Sequence, residues 1–153
     1  MASRNHFKSA DIKVIRDFIA NIDPDIEVFR GHCFEVDIAE EKIYLGNKRY
    51  DQVSAIFMNY WKNEYQDFNP NWCVLSILHE IGHIMTDTDE LQNNRQELDG
   101  IYSFMRAQDI INDLEYFNAY FGIPAEMEAT KWGIEFYRLN QDLCNNLAKQ
   151  LKV

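Results

Sequence analysis

The chain has no long apolar run, no paired-cysteine motif and no surplus of basic residues, and each absence removes a class of protein. No stretch approaches the ~20 apolar residues that a transmembrane helix needs. The opening Met-Ala-Ser-Arg-Asn-His lacks the apolar run of a signal peptide, so the chain reads as cytoplasmic. Cys33, Cys73 and Cys144 are odd in number and show no C-x-x-C spacing. A disulfide framework is therefore not expected, and buried free thiols are. Lys and Arg number 15 against 25 Asp and Glu, a formal net charge of −10. That balance argues against gripping nucleic acid, which is dominated by Lys and Arg on phosphates, and against adsorption to an anionic membrane. No internal repeat, low-complexity tract or domain linker is visible.

What is present suits one domain. At 153 residues, 46% apolar and 14% aromatic, the chain is long enough for a real core and too short for two comfortable ones. Residues 1–153 are read as a single domain. Ile12, Ile15, Phe18 and Ile19 follow helical spacing after a cap at Ser9 or Asp11, and Asp23-Pro24-Asp25 ends that helix. Three alternating segments follow, Ile26–Phe29, Cys33–Ile38 and Lys42–Leu45, which predict a small antiparallel meander of about three strands. Val53, Ile56, Phe57, Tyr60 and Trp61 form one helical stripe, read as core. Gln96–Tyr120 reads as helical, with Gly100 and Gln108-Asp109 as possible interruptions, after a polar loop over 86–94. A last helix is expected from Pro124 or Ala125 to near Lys149. The class is α+β.

The chemistry sits in Asn69–Thr86, where His79-Glu80-Ile81-Gly82-His83 has the pattern H-E-x-x-H. On a helix, residues four apart share a face, so both imidazoles can reach one ion. Glu80 lies about 100° further round, where a carboxylate can hold a metal-bound water. Asn69 and Pro70 suit the helix start, and apolar residues nearly all round predict a buried helix. Gly82 in its middle costs about 1 kcal/mol relative to Ala and suggests close backbone packing.

Two histidines leave a catalytic zinc one protein ligand short. His6 and His32 have no motif spacing and read as surface or structural. Asp89 lies six residues after His83, but Thr86 stands where the extended pattern wants a sharply turning Gly. On the last helix, Glu126 shares a side with Ala129 and Gly133, small residues that would allow a close approach to the histidine helix. Glu128 lies on the opposite flank. Glu126 is the first choice, with Glu128 and Asp89 as alternatives.

His79-Glu-x-x-His83 followed by Glu126-x-x-Ala129-Thr130-x-Trp132-Gly133 resembles the ImmA/IrrE-type zinc metallopeptidases of the gluzincin group, over roughly Trp72–Tyr137. Those proteins carry H-E-x-x-H on one helix and a ligand Glu in E-x-x-A-[DN]-x-[FW]-A on a later one. Thr130 stands here for Asp or Asn, Gly133 stands for Ala, and an extra helix lengthens the gap between the two motifs. The resemblance implies a zincin-like fold, Zn²⁺ on His79, His83 and Glu126, Glu80 as general base, and a protein or peptide substrate, such as a repressor-like protein. A stand-alone protein of phage or mobile-element character fits, since no DNA-binding module is visible. Tyr120 and Tyr137 are candidate oxyanion donors. The rival readings are a zinc-binding, non-catalytic regulator that acts by binding a partner, and a metal-free helical protein with a coincidental motif.

Overall fold

The computed structural model describes residues 6–48, 61 and 63–153, so the helical stripe expected over 51–61 lies outside the described residues except for Trp61, which is buried. Among the described residues are six helices and three strands, an α+β architecture. None of these helices is long and apolar enough to cross a membrane.

Helix α1 (Ser9–Ala20) buries Ile12, Ile15, Phe18 and Ile19, the positions its spacing predicts. Asp11 caps it from inside, its carboxylate accepting the Lys8 backbone N–H at 2.8 Å. Strands β1 (Glu27–Arg30), β2 (Glu35–Asp37) and β3 (Lys42–Leu45) follow. They do not form the expected antiparallel meander. The sheet is mixed in the order β1-β3-β2, with β1 parallel and β2 antiparallel to β3. Parallel neighbours need a crossover of about a dozen residues, and residues 31–41 supply it, with β2 as the return leg. Burial explains which strand is central. Ile43 and Leu45 of β3 and Val28 of β1 are fully buried, whereas β2 buries none of its residues and takes an edge.

Helix α2 (Trp72–Met85) carries the H-E-x-x-H motif. Its cap is Asn71 rather than Asn69, with the Asn71 side chain accepting the Val74 N–H at 3.1 Å. Every residue from Cys73 to His83 is buried. The loop expected over 86–94 shrinks to three residues, because Thr88 caps helix α3 (Asp89–Ala107). The long helix expected to reach Tyr120 breaks after Ala107, where Asp109 adopts φ 56°. Asn112 and Glu115 then form a reciprocal capping box for α4 (Asp113–Phe121).

Helix α5 (Pro124–Leu139) opens on its proline as expected. The continuous last helix is corrected at Asn140, where the chain leaves helical geometry and α6 (Gln141–Leu151) begins. That bend lets Cys144, Leu147 and Leu151 join α1 in the main core, while Leu143 is exposed. Cys73 and Cys144 are buried free thiols as expected, but Cys33 is exposed in the β1–β2 connection.

Helices α2 and α5 pack at their small residues. A Cβ on Gly82 would fall onto the Ala129 carbonyl oxygen and within 3.0 Å of Ala129 Cα, so no side chain fits there. A Cβ on Gly133 would come no closer than 3.3 Å, to Leu78 Cβ. Gly82→Ala is therefore expected to destabilise the fold by about 1–3 kcal/mol, overpacking outweighing the helix-propensity gain. Gly133→Ala should cost less, an ordering that urea denaturation midpoints would check.

A polar clamp joins α1 to the C-terminal helix. Lys48 Nζ pairs with Asp11 at 2.7 Å and donates to the Leu151 carbonyl at 3.3 Å. Burial raises the Asp11 carboxyl, but the Lys48 hydrogen bond and charge outweigh it and leave the carboxyl lowered. A lowered folded-state value stabilises above the unfolded value of about 3.9, and that contribution fades as pH falls through the folded value. Lys48→Met should thus lower the melting temperature at pH 7 by more than it does below about pH 3.

Candidate metal centre

His79 and His83 point the same way from α2, their rings edge-to-face with centroids 4.7 Å apart. Glu126, in the first turn of α5, meets them from the facing helix. Glu126 Oε2 lies 3.2 Å from His79 Nε2 and in contact with His83 Nε2. The three candidate ligand atoms fall within 4.8 Å of one another, and all three residues are buried. Glu128 is exposed one position beyond Met127, and Asp89 is exposed at the start of α3, so neither alternative carboxylate belongs to the group. His6 and His32 are exposed, as expected for residues without motif spacing.

Thr130 decides how His79 is presented. Its hydroxyl donates to the Glu126 backbone carbonyl at 3.0 Å. With its one proton spent there, the hydroxyl accepts from His79 Nδ1–H at 2.9 Å. That tautomer turns the Nε2 lone pair toward Glu126 and His83. Thr130 therefore supplies the acceptor that fixes the His79 ring.

The donor set fits a metal ion. Glu126 Oε2 is buried and accepts no hydrogen bond among the described residues. A neutral His79 offers it a lone pair instead of an N–H, and such converging lone pairs are stabilised by a cation between them. Without a metal, a proton on the imidazoles takes the cation's place: burial raises the Glu126 carboxyl, but hydrogen bonds and charge from His79 and His83 outweigh burial and hold it well below the usual carboxylate range. A negative charge is thus kept at the point where the imidazoles converge. His79, His83 and Glu126 can hold a metal ion.

Glu80 faces the same cleft and is 7% exposed. Burial, opposed by His79 and reinforced by the Glu126 charge, pushes its carboxyl up to about 7. The cleft has a volume of about 490 Å³. Its walls come from α2, the edge of β2, and the α3–α4 hairpin, which contributes Arg95 and Tyr120. The Arg95 guanidinium donates to the Tyr120 hydroxyl at 2.8 Å. Burial and the nearby Glu126 charge raise the Tyr120 phenol, so it stays protonated near neutral pH. Tyr137 is excluded from the cleft, because its hydroxyl accepts the Asn71 N–H at 3.0 Å and donates to Asn145 at 2.6 Å. Sequence reasoning offered Tyr120 only as one of two tyrosines and missed Arg95, which sits on an amphipathic helix with no motif to mark it.

Compared with protein-family models, curated proteins and solved structures, the chain matches none of them. The functional reading therefore rests on the residues and their geometry.

Metal analysis of the purified protein is expected to find a stoichiometric divalent ion, lost in Glu126→Ala and kept in Glu128→Ala. Thr130→Val removes the acceptor for His79 Nδ1–H and should weaken metal binding by roughly 10- to 100-fold, measured by chelator competition.

Proposed function

We propose that this chain is a zinc-dependent metallo-endopeptidase of the ImmA/IrrE kind, acting in the cytoplasm on a protein or peptide such as a repressor-like protein. The observation that carries the reading is the buried meeting of His79, His83 and Glu126, with Glu80 one residue from the first ligand and facing the same cleft. Two imidazoles and one carboxylate are a donor set used by catalytic zinc, with a further position left open. Zinc bound there supplies Lewis acidity, lowering the pKa of a bound water to near 7 and polarising a carbonyl.

The protein's own groups do the rest. A carboxyl near 7 is suited both to take a proton from water and to return one to the leaving amine at neutral pH, the role we assign to Glu80. The Tyr120 hydroxyl accepts from Arg95 and lies beside Glu126, and we assign its proton to the carbonyl oxygen as negative charge develops there. Strand β2, the sheet edge along the cleft, offers unpaired backbone groups to an extended peptide. Neither nucleic acid nor a membrane is part of this reading.

One observation favours the second reading, a zinc-binding regulator that acts by partner binding. The α3–α4 hairpin exposes Ile101, Phe104, Ile110 and Leu114 to solvent. Glu80→Gln separates the two. It is expected to lower cleavage of casein or of a partner protein by at least roughly 100-fold while zinc content stays unchanged. Unaltered cleavage would sink the peptidase mechanism, and the absence of cleavage by wild type would favour the regulator.

A further inference from the structure

Arg95 has no proton to transfer in the proposed mechanism, yet it faces the site. Among the described residues lining the cleft it is the one permanent cation, alongside Glu35, Glu80, Asp99 and Glu126. Its guanidinium has five donors, and its one hydrogen bond among the described residues goes to Tyr120. Glu126 Oε1 stands 3.9 Å away, beyond hydrogen-bond length. The neighbouring acids have other partners. Asp99 accepts from Tyr116 at 2.8 Å and Ser103 at 3.3 Å, and the inner oxygen of Glu126 faces the imidazoles. A metal held by Glu126 would draw on the charge that now answers Arg95 at 3.9 Å and would leave the guanidinium freer to take another anion.

Position adds to this. Arg95 also lines an adjoining hollow of about 500 Å³ beside β2, with Glu35, Val36, Tyr44 and Gln92. The guanidinium therefore stands where the metal cleft meets the groove along the sheet edge. A peptide extended along β2 toward the metal would pass it. Its side chain is 28% exposed, which limits competition by water.

We propose that Arg95 binds a carboxylate carried by the substrate beside the scissile bond, through the paired contact that a guanidinium makes with a carboxylate. This assignment rests on the peptidase reading above. The carboxylate belongs either to a free C-terminus or to an Asp or Glu side chain. Distant surface charge does not oppose it, being screened beyond about 8 Å at physiological salt. The acids that line the cleft with Arg95, namely Glu35, Glu80, Asp99 and Glu126, do oppose it, and the paired contact has to outweigh them.

Four peptides test it, built on a cleavage site mapped in casein by mass spectrometry. They carry Glu or Gln beside the scissile bond, each with a free or amidated C-terminus. Zinc-loaded wild type is expected to cleave a carboxylate-bearing peptide at least roughly tenfold more efficiently than the fully neutral one, mainly through KM. A preference lost on amidation identifies the C-terminus, and one lost on changing Glu to Gln identifies the side chain. Arg95→Gln should bring the ratio toward one, and Arg95→Lys should restore part of it. Equal cleavage of all four by wild type overturns the proposal and leaves the peptidase reading standing. Cleavage of neither casein nor any of the four overturns both. Zinc loss in Arg95→Gln would instead assign Arg95 to holding Glu126. An equal fall in kcat for all four peptides would assign it to the oxyanion, and either result overturns carboxylate binding.

Discussion

The close approach of α2 and α5 at Gly82 and Ala129 is the constraint on which the rest of the structure depends. The missing side chain at Gly82 lets the α5 backbone lie against α2. One residue beyond Gly82 and three before Ala129, His83 and Glu126 then come into contact. Had the helices been held apart by even one methyl group, the carboxylate would withdraw from both imidazoles. The apolar residues around the crossing, Leu78, Ile81, Ala129 and Ile134, are fully buried and make that spacing stiff.

A second consequence is that polar groups inside an apolar helix must satisfy one another. His79, Glu80, His83, Glu126 and Thr130 are all buried, where unpartnered polar groups cost free energy. Thr130 links the two helices by donating to the Glu126 carbonyl on its own helix and accepting from His79 across the interface. The same hydroxyl thereby anchors the backbone behind one ligand and sets the tautomer of another. What remains unsatisfied is Glu126 Oε2, at the point where a cation fits.

The α3–α4 hairpin is attached differently. Helix α3 buries none of its residues and α4 buries only Tyr116. Polar contacts hold the pair together, Tyr116 to Asp99 and Arg95 to Tyr120, and Arg106 stacks 4.0 Å from the Tyr116 ring centre. The hairpin thus contributes little to the core but forms a wall of the cleft. The cleft is built accordingly: the core helices carry His79, Glu80, His83 and Glu126, and the hairpin carries Arg95 and Tyr120 on the facing wall.

Local pattern made much of this readable. The burial of Ile12, Ile15, Phe18 and Ile19 followed from spacing, as did the alternating strands, because helical and strand periods depend only on the chain itself. The separation of His79 and His83 was legible for the same reason. The strand order was not, since alternation specifies which face is buried and not which neighbour pairs. The interruption at Gln108-Asp109 was legible, whereas the break at Asn140 was missed, because packing against α1 outcompetes a continuous helical pattern. The sequence by itself determined the two imidazoles, the adjacent carboxylate and the small residues that permit a close crossing. Only the tertiary structure decided that Glu126 is buried against the imidazoles while Glu128 is exposed, that Thr130 orients His79, and that Arg95 and Tyr120 meet at the cleft. Those facts depend on contacts between residues far apart in the chain, which no local period encodes.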